Sequence, residues 1–111
     1  MKKTYEILER AASLIEERGL TTRGYLHSPS GCLCTLGAVL TATNISTDEW
    51  KEEYEELPQI QAVGLALSLH YPRFKSVSNW NDKKGRKKKD AIFLLRKAAE
   101  YEREREKEGW Y

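Results

Sequence analysis

The chain is poor in the residues that staple or punctuate a fold. Its 111 residues include two cysteines, three prolines, two phenylalanines and one methionine. Cys32 and Cys34 stand one residue apart, too close to cross-link distant segments, so both are read as thiols of a reducing compartment. No apolar run approaches the roughly 18–20 residues that cross a bilayer. The opening Met1-Lys2-Lys3-Thr4-Tyr5-Glu6 lacks the apolar stretch and cleavage site of a signal peptide. The expected location is the cytoplasm, with no membrane partner. No repeat or linker divides the chain, and its length predicts a single helical domain over residues 1–111.

What is present is a folded composition with a heavily charged exterior: 40% hydrophobic and 32% charged residues. A net charge of +2 says nothing about partners by itself, but its distribution is uneven. Asp48, Glu49, Glu52, Glu53, Glu55 and Glu56 form an acidic block. Lys83, Lys84, Arg86, Lys87, Lys88 and Lys89 form a basic one.

Periodicity predicts a mainly α protein, a compact bundle of about five helices. Leu8, Ala11, Ala12 and Ile15 share one face of a helix over 4–18, with Ile7 and Leu14 beside it, and Gly19 stops it. Residues 20–31 read as a loop. A second helix is expected over 32–43, with Leu36, Val39, Leu40 and Thr43 on one face and Asn44 closing it. Ser46-Thr47-Asp48-Glu49 fits a capping box ahead of a short acidic helix that carries Trp50, Tyr54 and Leu57 inward. Pro58 suits the first turn of the next helix, which runs to about Leu69 with Ile60, Ala62, Val63, Ala66 and Leu67 inward and ends at Pro72. Residues 74–82, including Trp80-Asn81-Asp82, are expected to be irregular or briefly extended. The last helix begins near Lys87 or Lys88 and buries Ala91, Ile92, Leu95, Ala98 and Ala99. Residues 101–111 read as a charged extension held by Glu100/Arg103, Glu102/Arg105 and Glu104/Lys107 pairs and closed by Gly109. Trp110 and Tyr111 at its end suggest a homo-oligomer that covers them.

Three constellations could carry chemistry. Cys34 stands at the start of a helix, where peptide dipoles favour a thiolate. As a nucleophile it would need His27 or His70 as base, with Asn79, Asn81 or Asp82 orienting that base. As a structural residue it would fill a tightly packed site beside Gly37 and Ala38. His27, Cys32, Cys34 and His70 are ligand types for zinc, but Cys-x-Cys is not the usual knuckle spacing, and neither a metal nor another cofactor is expected. The basic run 83–89, with Trp80 nearby, could hold nucleic acid phosphates or balance the acidic block.

Trp80-Asn81-Asp82 is the most specific local feature. Trp80 would anchor the segment in the core while Asn81 and Asp82 bond back to the backbone. In a functional reading, Asn81, Asp82 and Arg86 face the amide-rich start of the Cys34 helix, making a cradle for an anion. The candidate ligand-binding set is therefore Cys34, Thr35, Trp80, Asn81, Asp82 and Arg86, and no catalytic residue is assigned.

The order Cys34-Thr35-Leu36-Gly37-Ala38, then Trp80-Asn81-Asp82 and Arg86, then Leu94-Leu95 and Ala98-Ala99, resembles an uncharacterised family of small proteins from actinobacteria and their phages. The resemblance spans nearly the whole chain. Leu20 departs from a frequent Trp, and Lys87 and Asp90 depart from a Thr and Glu capping box, which weakens the expected helix start. The resemblance implies where a site lies without implying a mechanism. By analogy, its phage members imply a host-interaction or anti-defence role.

The expected function is thus a non-enzymatic binding protein that captures a small anionic, nucleotide-like ligand or a host protein. The alternatives are a cysteine-dependent hydrolase or transferase using Cys34, and a nucleic-acid-binding regulator using residues 83–89.

Overall fold

The apolar stripe of the first segment forms the helix α1, Thr4–Arg18, whose Leu8, Ala11, Ala12, Leu14 and Ile15 are buried. Its main partner comes from the far end of the sequence: α5, Lys88–Lys107, which buries Ala91, Leu94, Leu95, Ala98 and Ala99. Lys3 pairs with Glu106, Glu9 with Arg103 and Glu16 with Arg96, so the two helices run antiparallel. The charged last turns of α5 therefore lie along the first turns of α1. A computed structural model describes residues 2–22, 24 and 26–108. Gly109, Trp110 and Tyr111, and the expectation of an aromatic end covered by another chain, fall outside the described residues.

Between these helices lie α2, Thr35–Ala42; a 3₁₀ turn, Glu52–Glu56; α3, Pro58–His70; and α4, Val77–Asn81. Among the described residues there is no β-strand. Isolated bridges join Leu33 to Leu20 and to His27. The radius of gyration is 12.9 Å, close to the roughly 13 Å expected for a compact domain of about 100 residues.

Three local expectations change in this stretch, while Asn44 closes the second helix as expected. The second helix starts at Thr35, not Cys32, because Leu33 and Cys34 use their amides in the loop: Leu33 N donates to Gly19 O and Cys34 N to Leu26 O. At its other end Asn44 takes φ 65, with Ile45 N donating to Leu40 O and Asn44 N to Thr41 O, a Schellman closure with Asn in place of Gly. The capping box at 46–49 does not form. Ser46 Oγ accepts from Asp48 N, and Thr47 Oγ1 bonds His27 Nδ1. The acidic helix is reduced to the 3₁₀ turn: Pro58 holds Leu57 extended (φ −65, ψ 132), which ends the coil one turn after it begins.

Trp80 and Asn81, expected in an irregular stretch, are helical. Ser76 caps α4 by accepting from Asn79 N at 3.1 Å, and the whole helix is too short for periodicity to register. On α5, Ile92 is half-buried, and Glu100 pairs with Lys97 while Arg103 reaches across to Glu9. The Lys87/Asp90 start retains one half of a capping box, since Asp90 Oδ2 accepts from Lys87 N at 2.9 Å.

Among the described glycines the tightest approach is at Gly37. A Cβ there would lie 2.0 Å from Leu26 O and 2.9 Å from Leu26 C, so the loop backbone rests directly on α2. Substitution Gly37→Ala is expected to push Leu26 off its bond to Cys34 N and to cost about 3 kcal/mol or more. Urea unfolding measures this, and a loss under about 1 kcal/mol would show that the loop can yield.

Candidate functional site

Most of the residues singled out from the sequence meet at one place, the junction of α2, α4 and the 19–34 loop. Asn81, 2% exposed, is its hub. Its Oδ1 accepts from Thr35 N at 2.9 Å and from Thr35 Oγ1 at 2.6 Å. Its Nδ2 donates to Thr21 O at 3.0 Å and to Asp82 Oδ1 at 3.2 Å. One amide side chain thus caps the start of α2, steadies the loop and orients its neighbour, with both its donor and acceptor capacity in use.

Trp80 is fully buried, and its ring packs at a tilt on Tyr71. Arg86 lies over that ring at 4.2 Å and donates from Nε to Trp80 O at 2.8 Å. Tyr71 and Phe74 flank the guanidinium at 5.5 and 5.4 Å. An arginine held this way is a cation–π cover on the core. Trp80 Nε1 has no hydrogen-bond partner among the described residues.

The start of α2 is equally occupied. Cys34 Sγ accepts from Gly37 N at 3.1 Å, and Ala38 N donates to Cys34 O. Cys34 is 7% exposed, and burial pushes its thiol pKa up to about 11 against the pull of the Gly37, Leu36 and Cys34 amides, with nearby Asp82 adding to the rise. The two histidines are engaged elsewhere: His27 with Thr47, and His70 with the Tyr101 hydroxyl. Among the described residues no group of three or more His, Cys, Asp and Glu side chains is arranged to hold a metal ion. No helix among them is long and apolar enough to cross a membrane.

Cys34, Asn81 and Asp82 line a small cavity of about 40 Å³; Thr35, Trp80 and Arg86 do not. That cavity shares Gly24, Leu26, Leu36 and Ser78 with a much larger groove of about 770 Å³. The groove runs between the loop ahead of α2, Leu36 in the first turn of α2, the acidic segment, the N-terminal half of α3 and the start of α4. Leu26, Leu36, Ile60, Val77 and Trp50 make it apolar, and Asp48, Glu49 and Glu55 also line it. Trp50 is set by an edge-on contact with Tyr54 at 5.5 Å. None of the three carboxylates makes an ion pair among the described residues. The acidic block is visible in sequence, but its companions on the groove come from segments far apart in the chain.

Two outcomes follow from this geometry. Asn81→Ala strips Thr35 N, Thr35 Oγ1 and Thr21 O of their partner inside the protein. The expected loss is about 2–4 kcal/mol, read as a fall in Tm of roughly 10–20 °C. Iodoacetamide at pH 8 should modify the half-exposed Cys32 and leave Cys34 unmodified until denaturant is added, as intact-mass spectrometry reports. Rapid native labelling of Cys34 would mean that the thiol is neither buried nor held protonated.

No curated protein and no solved structure matches the chain. One family model does, over residues 1–101, and it takes in α1 through most of α5 together with the whole Cys34–Asn81 junction. The chain therefore belongs to the family of unknown function DUF6197.

Proposed function

We propose that the chain is a non-enzymatic binding protein that holds a cationic, partly apolar segment of a partner protein in the groove between α3, α4 and the acidic segment. The observation that carries this reading is the groove's composition: apolar and aromatic walls lined also by Asp48, Glu49 and Glu55, which make no ion pair among the described residues. A lysine or arginine flanked by apolar residues supplies both complements at once, since its stem covers apolar wall while its head meets a carboxylate.

The small anionic ligand expected from the sequence finds less support. The amides of Thr35 and Gly37 and the Arg86 Nε that would have received it are bonded within the protein. A cysteine-dependent reaction has less again, since Cys34 is buried, is held protonated and lacks a histidine partner. A role in sequestering a host protein, which phage relatives would imply, is compatible with such a groove and needs no chemistry.

The test is a titration of ¹⁵N-labelled protein with a short Leu-Lys-Leu-Lys-Leu peptide at low salt. Shifts are expected at Trp50, Ile60, Gln61 and Val77, and Glu49→Lys with Glu55→Lys should weaken binding by roughly tenfold. If the groove signals stay still, and a nucleotide instead moves Thr35, Asn81 and Arg86, the proposal is wrong and the anionic reading replaces it.

A further inference from the structure

The groove's carboxylates have their counterpart on the same chain. Among the described residues, Arg10, Arg96, Lys97, Arg103, Arg105 and Lys107 each pair with a carboxylate. Lys75, Lys83, Lys84, Lys87, Lys88 and Lys89 make no such pair. Their few contacts are of another kind: Lys83 Nζ lies 5.6 Å from the Phe74 ring centre, and Lys88 Nζ donates to Glu16 O. Nor, among the described residues, do Asp48, Glu49, Glu52, Glu53, Glu55 and Glu56 make any ion pair, so the two blocks do not pair with each other within one molecule. The balance expected from the sequence is not made by direct contact.

The two blocks are nonetheless close in the fold. α4 is five residues long, about 7.5 Å of helix. Ser76, Val77 and Ser78 at its start line the groove, and the lysine loop leaves its end. That loop is a firm feature, because Arg86 is anchored on Trp80 and Arg86 N closes a turn onto Lys83 O at 3.0 Å. The anchor spends the arginine inward and leaves Lys83, Lys84 and Lys87 exposed around it.

Resting on the charge complementarity of the groove reading above, we infer that the groove's partner is a second copy of this chain, whose lysine loop 83–89 sets its lysine heads against the Asp48, Glu49 and Glu55 carboxylates and its lysine stems along the apolar wall, while its own groove receives the first copy's loop. A two-fold axis allows this, because a surface that carries both a donor and an acceptor patch side by side is complementary to itself. The reciprocal contact closes at two copies and leaves no patch for a third. Nucleic acid is the less favoured occupant of the loop, since the net charge is only +2 and the acidic block stands next to the lysines.

Two variants test it by light scattering and sedimentation in the presence of reductant, which removes any Cys32-linked dimer. One carries Lys83→Glu, Lys84→Glu and Lys87→Glu. The other carries Asp48→Lys, Glu49→Lys and Glu55→Lys. All six positions are exposed, and circular dichroism checks that both variants fold. The parent is expected at twice the chain mass at low salt, with an apparent Kd about tenfold weaker in 0.5 M NaCl. Each variant alone should be a monomer, its Kd raised on the order of 100-fold. An equimolar mixture should return to twice the chain mass, because the mixed dimer has one native contact and one with its charges exchanged, both of them attractive. A parent that stays monomeric at low salt and high concentration overturns the inference. So does a dimer indifferent to either set of reversals, or one that the mixture does not restore. The Leu-Lys peptide titration is read separately: if the peptide binds a monomeric parent, the groove reading stands and only the choice of partner fails.

Discussion

Asn81 is bound on both sides of its amide, and the placement of α2 relative to α4 depends on that. Two donors of Thr35 converge on Oδ1, while Nδ2 reaches Thr21 in the loop that precedes α2. All three groups are polar, and each would be costly to leave unpaired in the interior. A carboxylate at 81 would have no proton to give Thr21, and a hydrophobe would leave the start of α2 bare. The Cys34 cap, the rest of Leu26 on Gly37 and the burial of Trp80 next to the hub all presuppose the alignment this side chain sets.

The family motif is accounted for by that alignment. Cys34, Thr35 and Gly37 are a weak sulfur cap, a hydroxyl donor and a gap for a backbone. Trp80, Asn81 and Arg86 are the core anchor, the hub and the flat cover over the anchor. Motif residues of this kind hold elements in position.

Much of the fold was legible in the sequence for a physical reason. The long helices α1, α3 and α5 repeat their apolar residues often enough for a period to register, and Gly19, Asn44 and Pro58 mark boundaries by backbone chemistry alone. Reading failed where one residue's partner lay far along the chain. Residues 46–49 were expected to form a capping box, and instead Ser46 Oγ accepts from Asp48 N while the neighbouring Thr47 hydroxyl bonds His27, twenty positions away. α4 has one buried tryptophan and one cap, too little for any period, although Ser76 with Asn79 three residues on was a signal that could have been used. The meeting of Cys34, Thr35, Asn81 and Asp82 was anticipated, because helix starts and Asn-Asp pairs are distinctive locally. That their bonding capacity is spent on one another was not, since satisfaction of polar groups is a property of the assembled interior. The groove was hidden for the same reason: Leu36 and Ile60 each read as core, Val77 fell in a stretch expected to be irregular, and only folding leaves a channel between them.

The antiparallel pairing of α1 with α5 also bears on how the molecule is made. The stripe of Leu8, Ala11, Ala12 and Ile15 is completed by residues some ninety positions later, so its cover is synthesised last. Until α5 leaves the ribosome, α1 has only α2 and α3 to lie against, and the ring of Trp80 waits for Arg86. Closing so long a span carries little extra entropy, since that cost grows only with the logarithm of its length. What it carries is time: contacts this far apart in sequence form slowly. During that interval the nascent chain presents an open apolar face.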